Sequence, residues 1–230
     1  MPARAWFVAA TGTEIGKTHL CASLLAYWRA QGRSVAAFKP AMSGFADPLD
    51  TESDAARLLR ACGRAVDMES IAGIAPFRYR AALAPDAAAR TEGARLLMAD
   101  IRPKLRAFLD GGAERKLIEG AGGVMSPIAE DGLNIDLIEE AAAPVLLAAG
   151  AYLGAISHTL TAVEALKARG AAIAAVVVNF HEAAGMAIDT TAEDIRRRLD
   201  PHIAVFALPA RAAANDPAIA DLAEALDKAP

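Results

Sequence analysis

The sequence predicts an α/β protein with a mainly parallel central sheet that is covered by helices on both faces. Six short apolar segments alternate along the chain with longer segments of helical periodicity, as expected of strand–helix–strand crossovers. The apolar segments are rich in alanine and branched aliphatic residues, which is typical of strands buried on both faces. The 230 residues are 54% hydrophobic but only 5% aromatic. This composition suits a single domain over residues 1–230, with alanine-rich helices packed on an aliphatic sheet.

Each element is predicted from this periodicity and from its flanking residues. The predicted strands cover residues 5–9, 34–38, 115–118, 145–148, 173–178 and 203–207. The predicted helices cover residues 17–29, 51–61, 93–109, 134–141, 155–169, 187–199 and 217–228. Pro103 is expected to interrupt the third of these helices, because proline lacks the N–H that a helix interior requires. Residues 63–85 are predicted to be irregular.

The segment from Ala10 to Thr18 lies between the first predicted strand and the first predicted helix and ends in Gly-Lys-Thr. Phosphate-binding loops occupy this position, because backbone N–H groups at a helix N-terminus converge there on phosphate oxygens. Lys17 is expected to place its charge on the phosphates, and the Thr18 hydroxyl to bind Mg²⁺. The usual pattern has glycine five residues before Gly16, where this chain has Thr11. The segment predicts a nucleotide-binding loop and therefore a P-loop NTPase-like fold.

Other polar residues stand at the carboxyl ends of predicted strands, where ligands of parallel sheets bind. Glu119 ends an apolar strand before a glycine-rich loop, a position suited either to holding Mg²⁺ or to capping a turn. Lys39 ends another strand and is expected to stabilise anionic charge during phosphoryl transfer. Asp54 begins a predicted helix, where it either binds Mg²⁺ or complements the helix dipole. Asn179 ends the most apolar strand.

Charge and composition limit the partners that the chain is expected to have. Twenty-four basic and 28 acidic residues give a formal net charge of −4, which predicts no general attraction to nucleic acid or to an anionic membrane. The most apolar stretch, 141–156, is too short to span a bilayer, and no signal-peptide pattern precedes the first strand. Cys21 and Cys62 are expected to be free thiols. These features predict a cytoplasmic enzyme or switch.

Taken together, the motifs resemble the dethiobiotin synthetases, a family of ATP-dependent carboxylases of biotin synthesis. The resemblance covers nearly the whole chain and rests on segments 7–18, 39–44, 53–55, 119–123 and 153–158 and on Asn179. It implies that 7,8-diaminononanoate takes up CO₂ as a carbamate, which ATP phosphorylates to a carbamic-phosphoric anhydride. The second amine then closes the cyclic urea of dethiobiotin and releases phosphate, with ADP as the other product.

The resemblance also implies roles for individual residues. Lys39 and Lys17 would be catalytic, and Mg²⁺ would be held by Thr18, Asp54 and Glu119. The nucleotide would contact Glu14, Ile15, Gly16, Lys17, Thr18, His19, Asp54, Glu119, Gly120, Ala121, Gly122, Asn179 and Pro209, with Asn179 reading adenine. The diamine would contact Thr13, Ser43, Gly154 and Ala155. The last two begin a helix that would bind the substrate's carboxylate, in a homodimer whose active site is shared between subunits.

The chain departs from the usual sequence of that family at three places. Residues 9–13 read Ala-Ala-Thr-Gly-Thr where relatives usually have Thr-Gly-Thr-Asp-Thr. Tyr152 and Ser157 replace a lysine and an asparagine, and Asp86 follows Pro85 where relatives have histidine. None of these positions is expected to touch a phosphate or Mg²⁺, so the departures concern the diamine and the turnover rate more than the ATP chemistry.

An alternative from another functional class is a ParA/MinD-like ATPase switch, which dimerises on ATP and binds a macromolecular partner. Such switches have a signature lysine four residues before the second loop glycine, where this chain has Gly12. Residues 216–227 are acidic and lack the basic amphipathic face of a membrane-targeting helix. The sequence therefore favours a small-molecule ligase, and a generic small-molecule kinase stays open.

Overall fold

A computed structural model describes residues 4–45, 47, 50–179, 186–209 and 212–228. The strands are β1 Arg4–Ala10, β2 Val35–Phe38, β3 Ala41–Met42, β4 Phe77–Arg78, β5 Arg115–Glu119, β6 Pro127–Ala129, β7 Gly132–Leu133, β8 Val145–Gly150, β9 Ile173–Asn179 and β10 Ala204–Leu208. The helices are α1 Lys17–Ala30, α2 Asp54–Ala61, α3 Met68–Ile74, α4 Pro85–Thr91, α5 Met98–Asp110, α6 Asn134–Ala141, α7 Ala155–Ala168, α8 Ile188–Arg196 and α9 Pro217–Lys228. Among these helices, none is long and apolar enough to cross a membrane.

Six strands form one parallel sheet in the order β10-β9-β8-β1-β5-β2, which confirms the predicted fold class. The central strand β1 lies between β5 and β8, with Val8 opposite Glu119 and Ala10 opposite Ala148. Because all six strands run in the same direction, their polar carboxyl-terminal residues meet at one edge. The loop that follows β1 therefore lies beside the ends of both neighbouring strands.

The sheet has a hydrophobic core on each face. Alternate residues of β1 point to opposite sides, so that Phe7 packs in one core while Trp6 and Val8 pack in the other. Helices α5, α6, α7 and α8 contribute to the first core, and α1, α2, α3 and α9 to the second. Trp6 stacks on Trp28 of α1 with 5.2 Å between the ring centroids. The prediction of helices on both faces is confirmed.

The prediction for α5 was wrong in two respects. The helix begins at Met98, where the Leu97 N–H donates to the Asp100 carboxylate at 2.9 Å and the Met98 N–H donates to Asp131 at 2.8 Å. Pro103 lies inside the continuous helix. Its missing N–H removes a single helical hydrogen bond, and the fully buried Ile101 and Leu105 anchor the helix on both sides of it.

Residues 63–85 are also more regular than predicted, since they contain α3 and β4 and lead into α4. The Asp67 side chain caps α3 by accepting from the Ser70 N–H at 2.8 Å. The two-residue strand β4 pairs in parallel with β3, and β6 forms an antiparallel pair with β7. Strands this short are stabilised by their partners, so local periodicity gives no signal for them.

Candidate active site

A cavity of about 660 Å³ lies at the carboxyl edge of the sheet, beyond β1, β2 and β5. It brings together most of the predicted site residues from four separate parts of the chain. Its lining comprises Thr13, Glu14, Ile15, Gly16, Lys17, Thr18, His19, Lys39, Ala41, Met42, Ser43, Asp54, Arg57, Ala82, Leu83, Ala84, Pro85, Glu119, Ala121, Gly122 and Ser126. The predicted diamine contacts Thr13 and Ser43 therefore face the same space as the predicted phosphate and metal residues.

The phosphate loop holds its shape through two left-handed residues, Glu14 with φ 59° and Gly16 with φ 80°. A side chain at position 16 would meet the Asn179 side chain at 2.9 Å, so this position requires glycine for space as well as for conformation. Neither Thr11 nor Gly12 has a positive φ. The glycine missing from position 11 is therefore not demanded by the backbone of this loop.

The Lys17 side chain is buried and turns back over the loop. Its Nζ donates to the carbonyl oxygens of Gly122, at 2.9 Å, and Gly12, at 3.3 Å. Burial lowers the pKa of Lys17, and the nearby carboxylate of Glu119 offsets part of that effect. Within the described chain Lys17 forms no ion pair with a carboxylate, so its charge is held by neutral carbonyls at the start of α1.

Lys39, Asp54 and Glu119 form a buried ion cluster beside Thr18. The Lys39 Nζ lies 2.6 Å from Asp54 Oδ2 and 2.6 Å from Glu119 Oε1. The Thr18 hydroxyl donates to the same Glu119 oxygen at 2.7 Å. Burial alone would lower the pKa of Lys39, but the two carboxylates outweigh burial and raise it. The pKa of Asp54 is lowered because the attraction of Lys39 outweighs burial. Lys39 and Asp54 are therefore both charged at neutral pH.

The position of Lys39 depends on elements that are distant in the sequence. It follows β2, and its backbone N–H donates to the Ile74 carbonyl at the end of α3 at 2.9 Å. Asp54 is the first residue of α2, where the preceding Ser53 accepts from the Ala56 N–H at 3.3 Å. Ser53 thus caps the helix, which leaves the Asp54 carboxylate for Lys39.

The oxygen donors of this cluster suit a magnesium ion. Glu119 Oε2 is buried and has no hydrogen-bond partner in the described part of the chain, so this carboxylate has an unused ligand atom. Thr18 and Asp54 add a hydroxyl and a second carboxylate. Mg²⁺ keeps several waters and phosphate oxygens and needs few protein ligands. Three or more His, Cys, Asp or Glu residues do not gather into a metal site anywhere in the described ranges.

Two residues that the sequence did not single out shape the glycine loop after β5. Asn134 is buried, and its amide donates to the Gly123 carbonyl at 2.9 Å and accepts from the Ala121 N–H at 3.2 Å. The Ser126 hydroxyl accepts from the Gly123 N–H at 2.8 Å. A side chain at Gly120 would meet Asn134 Oδ1 at 2.9 Å. The only sequence signal was the place of Asn134 at a predicted helix start, where capping is the ordinary role.

Asn179 lies outside the cavity but contacts the phosphate loop. Its Nδ2 donates to the Ile15 carbonyl at 2.7 Å, while Oδ1 is buried without a partner in the described chain. Pro209 follows β10, the strand next to β9, and is exposed. The neighbouring residues 180–185, 210 and 211 lie outside the described ranges.

Gly154 and Ala155 also lie outside the cavity, at the start of α7. Gly154 has φ 99°, and the preceding Leu153 is 93% exposed. Tyr152, which stands where the family has lysine, hydrogen-bonds through its hydroxyl to His158 Nδ1 at 2.9 Å. Within one chain, this predicted substrate segment does not join the other substrate residues.

Comparisons with known proteins identify the family to which the chain is similar. A family model described as an AAA domain matches residues 4–213. The chain is 52% identical over 174 residues to the ATP-dependent dethiobiotin synthetase BioD of Caulobacter vibrioides strain NA1000, covering 75% of this chain and 78% of that protein. It is 44% identical to the BioD of Acidiphilium cryptum over 84% of this chain and 87% of the relative. It is 36% identical to the BioD of Aromatoleum aromaticum over 92% of this chain and 96% of the relative.

A solved structure of the septum site-determining protein MinD from Pyrococcus horikoshii OT3, complexed with Mg-ADP, is similar to the chain with a TM-score of 0.51. The alignment covers 97% of this chain and 96% of that one at 15% identity. At this identity the likeness concerns the fold alone.

Proposed function

The chain belongs to the ATP-dependent dethiobiotin synthetase family, and from that premise we propose that it closes the cyclic urea of dethiobiotin. In this reaction 7,8-diaminononanoate and CO₂ form a carbamate. A carbamate oxygen then attacks the γ-phosphorus of ATP, which releases ADP and gives a carbamic-phosphoric anhydride. The second amine attacks the anhydride carbonyl, the C–O bond to the phosphate breaks, and the two amines lose their protons to solvent.

The buried cluster of Lys39, Asp54, Glu119 and Thr18 is the observation that carries this proposal. The cluster lies in one cavity with the phosphate loop and with Ser43. ATP at the phosphate loop and the diamine at Ser43 can therefore both reach the cluster. Lys39 is the catalytic cation, since its raised pKa keeps it charged where negative charge moves between ADP, the phosphoryl group and the carbamate. Lys17 leaves the carbonyls of Gly12 and Gly122 to bind phosphate oxygens that are present before and during transfer.

Magnesium forms part of the proposal, held by Thr18, Asp54 and Glu119. When bound, it neutralises phosphate charge in the ground state and during transfer. The protein's part is to hold the buried Glu119 carboxylate in place, with Oε1 fixed by Thr18 and Lys39 and with Oε2 unpartnered in the described part of the chain. The Asp54 side chain is 40% exposed and lines the same cavity.

The remaining residues are assigned to the diamine, to the adenine base and to the substrate carboxylate. Ser43 and Thr13 contact the diamine–carbamate, and the free Oδ1 of Asn179 accepts a hydrogen bond from the adenine amino group, with Pro209 beside the base. The substrate carboxylate binds at Gly154 and Ala155 of a second copy of the chain. The exposed Leu153, and the fact that Gly154 and Ala155 do not line the cavity of their own chain, support a homodimer with shared sites.

The switch-like alternative is not favoured. The likeness to MinD is one of fold at 15% identity, whereas the synthetases match at 36–52% identity. We place the enzyme in the cytoplasm, because the reaction consumes ATP, and we expect it to bind neither nucleic acid nor a membrane.

The test is to incubate the purified protein with ATP, MgCl₂, bicarbonate and 7,8-diaminononanoate and to detect dethiobiotin by mass spectrometry and phosphate by a coupled assay. We expect both products in equal amounts, and no dethiobiotin without the diamine or ATP. ATP hydrolysis without dethiobiotin, accompanied by ATP-dependent dimerisation in light scattering, would support the switch instead.

A further inference from the structure

Arg57 is a cation of the cavity wall that the reaction described above does not use. It stands three residues after Asp54 on α2, so the two side chains project from neighbouring positions of one helix surface. Both line the cavity, with Arg57 at its exposed mouth. Throughout the described ranges, no residue forms a hydrogen bond or an ion pair with Arg57.

The other cations of the cavity are already held by the protein. Lys39 is neutralised by two carboxylates, and Lys17 donates to two carbonyl oxygens. On the same helix, Arg60 turns away from the cavity and bonds to Thr51 and Glu52. Among the described residues that line this cavity, Arg57 is therefore the arginine whose guanidinium can bind a ligand without first breaking a contact with the protein.

His19 locates Arg57 relative to the phosphate loop. It lies in the first turn of α1, directly after Thr18, and its Nε2 is buried without a partner in the described chain. Arg57 and His19 line one cavity together with Gly16, Lys17 and Thr18 of the phosphate loop. Arg57 therefore shares this cavity with the helix end where the N–H groups of the loop converge.

We propose that Arg57 binds the phosphate chain of the nucleotide and sets its affinity, as a third cation beside Lys17 and Lys39. A guanidinium presents several donors in a planar fork, which suits phosphate oxygens. The carboxylate of the diamine is the other anion in the reaction. Arg57 lines the same cavity as the phosphate loop, whereas Gly154 and Ala155, proposed for that carboxylate, lie outside it, so the nucleotide is favoured. This role rests on the proposed ATP-dependent function.

The experiment measures binding without the diamine, for the wild-type protein and for Arg57→Ala, Arg57→Lys and Arg60→Ala. Arg60→Ala is the matched control, since it removes the same charge from the same helix outside the cavity. Calorimetry with ATP and ADP gives the nucleotide affinity. Inorganic tripolyphosphate, as a competitor of a fluorescent nucleotide, reports the phosphate chain without base or ribose.

We expect Arg57→Ala to raise the Kd of ATP, ADP and tripolyphosphate by roughly tenfold, and Arg57→Lys to restore part of the affinity. Arg60→Ala should leave all three unchanged. Unchanged affinities in Arg57→Ala overturn the proposal. If the Kd of ATP rises while that of tripolyphosphate is unchanged, Arg57 binds the ribose or base and the proposal is overturned. If nucleotide binding is unchanged but the KM of the diamine rises, Arg57 binds the substrate carboxylate and the proposal is likewise overturned. If the wild type makes no dethiobiotin while Arg57→Ala still weakens tripolyphosphate, the proposed function fails and the role of Arg57 stands.

Discussion

The Nζ of Lys39 lies 2.6 Å from Oε1 of Glu119, and both side chains are almost completely buried. A buried ion pair of this kind costs desolvation energy, which is recovered only when each charge has further partners. Asp54 and Thr18 supply those partners, at 2.6 Å from Lys39 and 2.7 Å from Glu119. The cluster therefore holds a cation and two carboxylates in fixed positions where phosphate charge is expected to change.

Lys39→Ala should lower kcat by roughly a hundredfold, because the charge acts mainly while the phosphoryl group moves. The Kd of ATP should change much less. Steady-state kinetics and calorimetry measure the two quantities, and circular dichroism checks the fold, since Glu119 loses its buried cation. Normal kcat in a folded variant would remove Lys39 from the catalytic machinery.

Lys17→Ala should behave differently, with weaker ATP binding and slower turnover together. Its Nζ is held by the Gly12 and Gly122 carbonyls and is ready to meet phosphates already present in the ground state. We expect a roughly tenfold or larger rise in the Kd of ATP. Lys104→Ala, on an exposed face of α5, is the control for loss of a lysine charge. If Lys17→Ala bound ATP as the wild type does, the phosphate contact would be disproved.

Asp54→Asn should raise the Mg²⁺ concentration that gives half-maximal activity, because the amide is a poorer ligand than the carboxylate. A magnesium titration at saturating ATP measures the change. Asp221→Asn serves as the control, since Asp221 is an exposed carboxylate of α9 and does not line the cavity. An unchanged magnesium requirement would leave Asp54 as a partner of Lys39 alone.

Asp54 should also make the free energy of unfolding depend on pH in the acid range. Its pKa in the folded protein is lowered from 3.8, so its contribution to the free energy of unfolding is complete above pH 3.8 and is lost as pH falls through the lower folded-state value. Urea unfolding at pH 7 and near pH 3 should show a smaller loss for Asp54→Asn than for the wild type. Asp221→Asn removes an exposed carboxylate from α9 and should keep the wild-type loss. Equal losses in all three proteins would contradict the coupling to Lys39.

A mixture of Lys17→Ala and Gly154→Phe should recover activity that neither variant has alone, if the site is shared between two chains. The heterodimer then contains one site with an intact loop from one chain and an intact α7 start from the other. Gly170→Phe is the control, since Gly170 has a similar left-handed φ of 68° at the opposite end of α7 and has open space around it. No recovery after demonstrated subunit exchange would mean that each site is built within one chain.

The sequence by itself determined the fold class and the phosphate loop, because both leave local patterns. Alternating apolar and helical segments predicted the six strands of the sheet, and the Gly-Lys-Thr sequence identified the loop. The carboxyl-end positions of Lys39 and Glu119 followed from the parallel arrangement and suggested a phosphoryl-transfer role for Lys39 and a magnesium or capping role for Glu119; the family resemblance then chose between them.

Only the tertiary structure decided how these residues meet. That Lys39 contacts both Asp54 and Glu119 depends on the order β1-β5-β2 and on the Ile74 carbonyl that holds its backbone. Asn134 was missed because it shapes a loop more than ten residues away through three-dimensional contacts. Arg57 was missed because exposed arginines on helices are ordinary, and only the cavity beside His19 distinguishes it from Arg60. Contacts between distant segments are fixed by packing of the whole chain, and no local period records them.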